Sequence, residues 1–318
     1  MSVSTQSMTD FYPVSEINAA RLSHFGMIEI TGEQAKTFIN GQVTTDIISM
    51  TDEEWRWGAH CDPKGKMIAS FRIFLLGERL LMLMPKSTLA LDLAQLKKYA
   101  VFSKAELTDV SDSWAILGLW GEKSVDLMTQ HFGELTQGLT ATEQGAILKD
   151  NFGFMAILPQ EQANIFIEQA KLELVAHKAW QALEIAAGYP NIDSQHSGQY
   201  VPQMCNLQAV NGISFTKGCY MGQETIARMK YRGGNKRALY ILEGTTQRTL
   251  STESQVEIQL EGGYRKVGNV IEVVQEGERV LMTAVLANDT EADAVLRMAE
   301  DESSSLAIKA LPYSLTEE

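Results

Sequence analysis

Apolar positions along this 318-residue chain come in short blocks whose period changes from block to block. "FGMIEITG", from Phe25, reads as a strand, and "TGEQAKTFINGQV" predicts a short helix opened by Thr31 as N-cap and closed near Gly41. "EWRWGAHCDPKGKMIASFRIFLL" predicts two strands joined by the turn Asp62-Pro63-Lys64-Gly65. In "STLALDLAQLKKYAVF" the residues Leu89, Leu93 and Leu96 fall on one helical stripe, with Lys97 and Lys98 near its end. From about Ser103 the pattern restarts: "WAILGLWG" and "GFMAILP" read as strands, "EKSVDLMTQHFGEL" between them as a helix, and "EQANIFIEQAKLELV" as further mixed structure. That is the content of a small α+β domain.

"HKAWQALEIAAGYP" predicts a helix that stops where Gly188 can turn left-handed and Pro190 cannot continue. Trp180, Leu183, Glu184 and Ala187 share one of its faces. A loop rich in Asn, Ser, Gly and Pro, residues 189–210, then leads to "TKGCYMGQET", Thr216 to Thr225. After Arg237 come "ALYILEG", "SQVEIQL", "KVGNVIEVV" and "RVLMTAVL", the short strands of a small barrel or sandwich.

Composition narrows the class without choosing a function. Apolar residues make up 45% and charged residues 21%, and no apolar run approaches the roughly 20 residues of a membrane span. The polar start lacks a secretory pattern, and three cysteines are too few for a disulfide framework, so the expected location is a reducing cytoplasm. Net charge is −13, yet Lys217, Arg228, Lys230, Arg232, Lys236 and Arg237 stand in one segment against the single acid Glu224. A local anion site fits that distribution; a broad nucleic-acid groove does not. Phosphate-binding glycine loops and hydrolase elbows are absent. No cysteine pair has metal-ligand spacing, and His60 beside Cys61 is no ligand set, so no tightly bound metal is expected.

Cys219 would lie just before a helix N-terminus, with Lys217 adding positive charge, an arrangement that lowers a thiol's pKa. The same position also suits a small cysteine filling a loop gap. Trp180 reads as core, or as a ring that stacks on a flat heterocycle whose amino groups Glu184 accepts.

"KGCYMGQE", Lys217 to Glu224, resembles the signature Lys-Gly-Cys-x-x-Gly-Gln-Glu of the YgfZ family, folate-binding proteins related to the aminomethyltransferase (T-protein) of the glycine cleavage system. The likeness continues in "NGQVTTD", "AHCDPKGKM", "KKYAVFSK", "AAGYPNIDSQHSGQYVPQMCNLQAVNGISF", "YRGGNKRALY" and "LPYSL". It implies an α+β, T-protein-like three-domain fold: two α/β domains of ferredoxin-like type around a central folate channel, and a C-terminal β-barrel. The expected division is a polar tail over 1–21, a folate-channel domain over 22–103 plus 180–237, a small α+β domain over 104–179 and the barrel over 238–318. The resemblance also implies a tetrahydrofolate-binding factor that supports tRNA methylthiolation and the maintenance of iron–sulfur enzymes, its clients, with a link to control of replication initiation. A monomer is expected, and direct contact with tRNA is left open.

The family's two aromatic folate contacts fall on Phe25 and Trp180, with phenylalanine in place of the more familiar tryptophan at the first. Glu184 and Lys217 join the expected cofactor set, with the folate's glutamate tail near Arg228, Lys230 or Arg232, and Cys219 is the expected reactive residue. The aminomethyltransferases' paired aspartates are replaced by Ala69 and Ser70, and the glutamate usual before the Ala-Gly pair by Ala186. Those departures favour an accessory factor over glycine-cleavage catalysis; the alternative is a folate-dependent one-carbon transferase with another acceptor.

Overall fold

The computed structural model describes residues 11–315. The first part of the chain supplies β1 (Asn18–Arg21), β2 (Phe25–Thr31), α1 (Ala35–Asn40), β3 (Trp55–Cys61), β4 (Met67–Leu76), β5 (Arg79–Pro85), α2 (Lys86–Ala100) and β6 (Glu106–Asp109). Next come β7 (Trp114–Trp120), α3 (Ser124–Phe132), β8 (Leu139–Thr142), β9 (Gly145–Asp150), β10 (Gly153–Pro159), α4 (Gln160–Gln169), β11 (Leu174–Val175) and α5 (Lys178–Ala186). A long loop with three 3₁₀ turns leads to α6 (Gln223–Arg232). The chain ends in β12 (Arg237–Thr245), β13 (Gln255–Leu260), β14 (Gly263–Glu276), β15 (Arg279–Ala287), β16 (Leu296–Met298) and β17 (Ser305–Lys309).

Two sheets, each with helices packed on it, and a closed barrel result. The first sheet has the order β3-β4-β5-β2-β6, the second β11-β1-β7-β10-β9-β8, and β12 to β17 close on themselves. Alternation along β4 and β5 sorts the first sheet's side chains. Phe71, Ile73, Leu80 and Met82 pack under α1 and α2 with Phe38, Leu89 and Leu96. Phe74, Leu81 and Leu83 face the second sheet's Ile116, Leu148 and Met155 and the α5 residue Trp180. A sheet covered on both faces needs apolar residues at both parities, which is why "FRIFLLGERLLMLM" is so uniformly apolar. It is a hairpin, β4 and β5, turning at Gly77 with φ +62°.

Three expectations shift. The helix expected from Thr31 begins later, because Thr31 is still paired in β2 with Glu106; Gln34 is the N-cap of α1. The tail expected over 1–21 is a strand over its last four residues: β1 pairs with β7, burying Ala19 and Ala20. Residues 1–10 of that tail lie outside the described residues. Finally β6, placed by the sequence in the small domain, completes the first sheet by pairing with β2. Among the described residues no helix is long and apolar enough to cross a membrane.

Candidate functional site

Position 72 falls where the alternation of β4 turns a side chain toward the second sheet, and an arginine occupies it. Arg72 is fully buried, and its Nη2 donates to Glu184 Oε1 on α5 at 2.6 Å and lies 3.7 Å from Asp150 Oδ2 at the end of β9. The rings of Trp57, Tyr189, Trp55 and Phe25 stand 4.3, 5.3, 5.6 and 5.7 Å from its guanidinium carbon. Burial opposes the Arg72 charge, but Glu184 and Asp150 outweigh it and hold the group above its ordinary pKa. Glu184 itself is raised by burial, with Arg72 pulling the other way.

The barrel reaches this cluster through β14. Asn191 Nδ2 donates to Glu184 Oε2 at 3.1 Å and to Glu272 Oε2 at 3.4 Å. Burial, then repulsion from Glu184, pushes Glu272 up to about 8 from an ordinary 4.5. The sign follows from linkage: as pH rises from 4.5 toward 8 the unfolded chain releases this proton and the folded chain keeps it, so stability falls across that window. Glu272→Gln, neutral at every pH, is expected to unfold about 1–3 kcal/mol later than the parent at pH 8 and to lose that decline. Urea midpoints measured from pH 5 to pH 8 check this; parallel pH profiles for the two proteins would contradict it.

Beside the cluster opens a cleft of about 600 Å³, where β3, the β9–β10 turn, the end of α5, the Ala209–Asn211 segment and Tyr313 meet. Trp55, Trp57, Phe152 and Tyr189 give it aromatic walls, and Lys149 lies at its lining. Two buried groups there lack hydrogen-bond partners: the Trp57 indole N–H and Asp150 Oδ2. The Tyr189 hydroxyl donates to the other Asp150 oxygen, and burial together with that carboxylate raises the phenol's pKa, keeping it a donor. A second groove of about 510 Å³ shares Trp55, Trp57, Val210 and Asn211 and runs on past Asp46, Arg56 and Thr216. Flat walls with one indole N–H and one carboxylate oxygen that make no hydrogen bond, the oxygen facing only the Arg72 charge at 3.7 Å, suit a planar heterocycle carrying N–H groups.

The residues expected from the sequence do not all gather there. Phe25 and Glu184 do meet at Arg72, and Trp180 packs in the same core as Phe25. Trp180 is fully buried: a Cβ on Gly118 would lie 2.4 Å from its ring, and Trp120 and Phe152 stand edge-on at 6.0 and 4.9 Å. Stacking on Trp180 is therefore corrected to packing, since no open face remains. Phe25, also buried, borders a smaller cleft of about 130 Å³ with Lys86, Ser111 and Trp114. Glu184 is corrected from ligand acceptor to partner of Arg72 and Asn191. Ala186, at the family's glutamate position, lines the 600 Å³ cleft with Leu183 and Ala187. Ser70 is buried, and its hydroxyl donates to Pro190 O at 2.5 Å and accepts from Ile192 N–H at 3.0 Å, fixing the loop after α5.

Lys217 is another correction. Its ammonium has three N–H bonds and donates to the carbonyls of Asn40, Val43 and Thr45 at 2.6, 2.9 and 2.6 Å. Burial lowers its pKa to about 8. It is a clamp on the α1–β3 loop, with nothing left to donate to a cofactor. Met221 N–H donates to Gly41 O at 3.1 Å, Tyr220 is buried, and Gly222, at φ +80°, packs its Cα against the Asp62–Gly65 turn, where a Cβ would lie 2.7 Å from Asp62 O. Cys219 thus sits exposed on a loop anchored on both sides, while Cys61 and Cys205 are buried and raised in pKa by that burial. Arg228 and Arg232 are exposed on α6, and Lys230 Nζ lies 4.0 Å from the Phe215 ring centre; none of the three lines either groove.

Trp55, Trp57, Asp150 and Tyr189 are not among the residues expected from the sequence. The two tryptophans are spaced i, i+2 on a strand, hence on one face, and that spacing was the available signal.

Two family models match the chain: the YgfZ β-barrel domain over residues 235–301 and the GCVT N-terminal domain over residues 16–156. It is 40% identical over 306 residues to the tRNA-modifying protein YgfZ of Yersinia pseudotuberculosis serotype O:1b (strain IP 31758), covering 93% of this chain and 92% of that protein. The tRNA-modifying protein YgfZ of Yersinia enterocolitica serotype O:8 / biotype 1B matches with the same identity and coverage. Among solved structures, the glycine cleavage system aminomethyltransferase T from Bartonella henselae superposes with a TM-score of 0.68 at 16% identity, covering 94% of this chain and 86% of that one. That last likeness concerns the fold.

Proposed function

The chain belongs to the YgfZ family, and from that premise we propose that it is a tetrahydrofolate-binding accessory protein that supports tRNA modification, methylthiolation above all, and the upkeep of the iron–sulfur enzymes that perform it. The observation that carries the folate half is the pairing, in one aromatic cleft, of an unsatisfied buried carboxylate oxygen on Asp150 with an unsatisfied indole N–H on Trp57. A reduced pterin presents adjacent N–H donors, a carbonyl acceptor and a flat face, and a group left unpaired in a buried site costs about 1–3 kcal/mol until a ligand satisfies it. Asp150 would accept from the pterin's N–H groups, the cleft's aromatic walls would pack against its ring, and Lys149 at the cleft's lining would be the cation for a glutamate tail. When bound, the folate supplies a one-carbon carrier; the chain's residues hold it and keep water from its ring.

The transferase alternative is the weaker reading. Ser70, at one of the aspartate positions, has its hydroxyl committed to Pro190 and Ile192. Cys219 is exposed and does not line the cleft, which leaves the thiol open to a client protein and not to the bound folate. The reading does not extend to control of replication initiation.

Titrating tetrahydrofolate while following tryptophan fluorescence tests the binding. Quenching is expected in the parent and its loss in Trp57→Leu, whereas Phe25→Leu, whose side chain does not line the cleft, should quench like the parent. If no reduced folate quenches the parent, the proposal fails.

A further inference from the structure

We propose that the outer face of α6, with the Gly233–Gly234 turn after it, docks the sugar–phosphate backbone of RNA, and that Tyr231 stacks on one of its bases. On a helical wheel Arg228, Tyr231 and Arg232 lie opposite Ile226, which is completely buried. All three are exposed, and Tyr231 shows 69% of its surface, an unusual position for a large ring.

Cations without acid partners gather on this face. Many exposed cations elsewhere are paired with acids, as in Arg79–Glu29, Lys104–Glu33, Lys123–Glu16 and Arg248–Glu300. Arg228, Arg232 and Lys236 have no such partner among the described residues. From Thr225 to Arg237 the chain carries no acid, in a protein of net charge −13; Glu224, one turn before Arg228, is the acid at the N-terminal end of the face. The Asp62–Gly65 turn, which packs against Gly222 and Thr225, adds exposed Lys64 at the same end.

The turn beyond the helix is open. Gly233 and Gly234 take φ +70° and +109°, and a Cβ on either would meet nothing within 4 Å. Their conformation, not crowding, calls for glycine, and it lets a backbone approach closely. Arg237 Nη1 donates to Val267 O, and the Asn235 side chain donates to Gln203 O, so the far side of the turn is fixed to the body. Unpaired guanidinium groups bracketing an exposed aromatic ring are the chemistry of single-stranded nucleic-acid recognition. An acidic protein would use the cations but has no base for Tyr231. The proposal rests on the reading that the chain supports tRNA modification, and it names tRNA itself as a direct partner. Exposed Cys219, on the loop that enters α6, lies at the N-terminal end of the same helix.

The test is fluorescence anisotropy of the full chain with dye-labelled, unmodified tRNA across a salt series, with poly-glutamate as competitor. Arg228→Gln/Arg232→Gln is expected to weaken tRNA binding about tenfold and to flatten the salt dependence by about 1.4 in log–log slope. Tyr231→Ala should cost about fivefold or more without changing the slope. Lys97→Gln/Lys98→Gln, on α2, should bind like the parent. Absent tRNA binding or unchanged affinity in the arginine variant overturns the proposal, as does competition by poly-glutamate equal to that by unlabelled tRNA, which would assign the face to an acidic protein. Tetrahydrofolate titration of the same variants reads the cleft separately: tRNA affinity that falls as expected in a chain that binds no folate retires the folate reading and leaves this one standing.

Discussion

Replacing Arg72 by methionine is expected to destabilise the folded chain by about 3–5 kcal/mol, the largest effect of any single substitution considered. The guanidinium is the positive member of a buried group that includes Glu184, Asp150 and, through Asn191, Glu272. Removing it leaves carboxylates without their counter-charge, away from water, and withdraws a cation from the rings of Trp57 and Tyr189. Breaking one side of such a pair costs far more than the intact pair contributes. A companion variant, Arg72→Met/Glu184→Gln, should recover part of the loss, because the orphaned charge goes with it. Urea unfolding of both proteins at neutral pH is the measurement. A loss under about 1 kcal/mol in the single variant would mean that the cluster is hydrated and not a buried ion network.

Asp150→Asn carries the second large effect. The amide can still accept from Tyr189, so the fold should survive with a modest loss, but its oxygen is neutral and its nitrogen meets N–H donors head-on. Losing a charge-assisted pair of hydrogen bonds is worth about 2–3 kcal/mol, or about 30- to 150-fold in the dissociation constant for tetrahydrofolate. Calorimetric titration reads it directly. Asp150→Asn with parent-like affinity would remove the carboxylate from the site.

Periodicity reached most of the architecture. The helix carrying Leu89, Leu93 and Leu96, the helix that stops at Gly188, and four of the six strands of the closed barrel, β12 to β15, lie where the pattern placed them; the short β16 and β17 it did not place. Strand β5 escaped because a two-sided buried strand has no alternation to see, and β1 because four residues of "NAAR" carry no pattern. The site was harder. Motif likeness pointed to Trp180, Glu184 and Lys217, and each proved to be spent internally: on a glycine face, on Arg72 and on three carbonyls. An arginine inside "SFRIFLL" looked like a break in an apolar run, when it is the charge around which three parts of the chain assemble. Asp150 and Tyr189 stand 39 positions apart and meet only through packing, so no spacing rule could have joined them to Trp57. The motif "KGCYMGQE" changes meaning as well: most of it builds an anchored loop, and what that loop presents is Cys219.

The most direct test of the account is a crystal structure of the chain determined with tetrahydrofolate. The account predicts the pteridine in the cleft lined by Trp55, Phe152 and Tyr189, with its N–H groups on Asp150 and with Trp180 still enclosed behind Gly118. A pteridine seated against an opened Trp180 and Phe25, with the Trp57–Asp150 cleft empty, would contradict it.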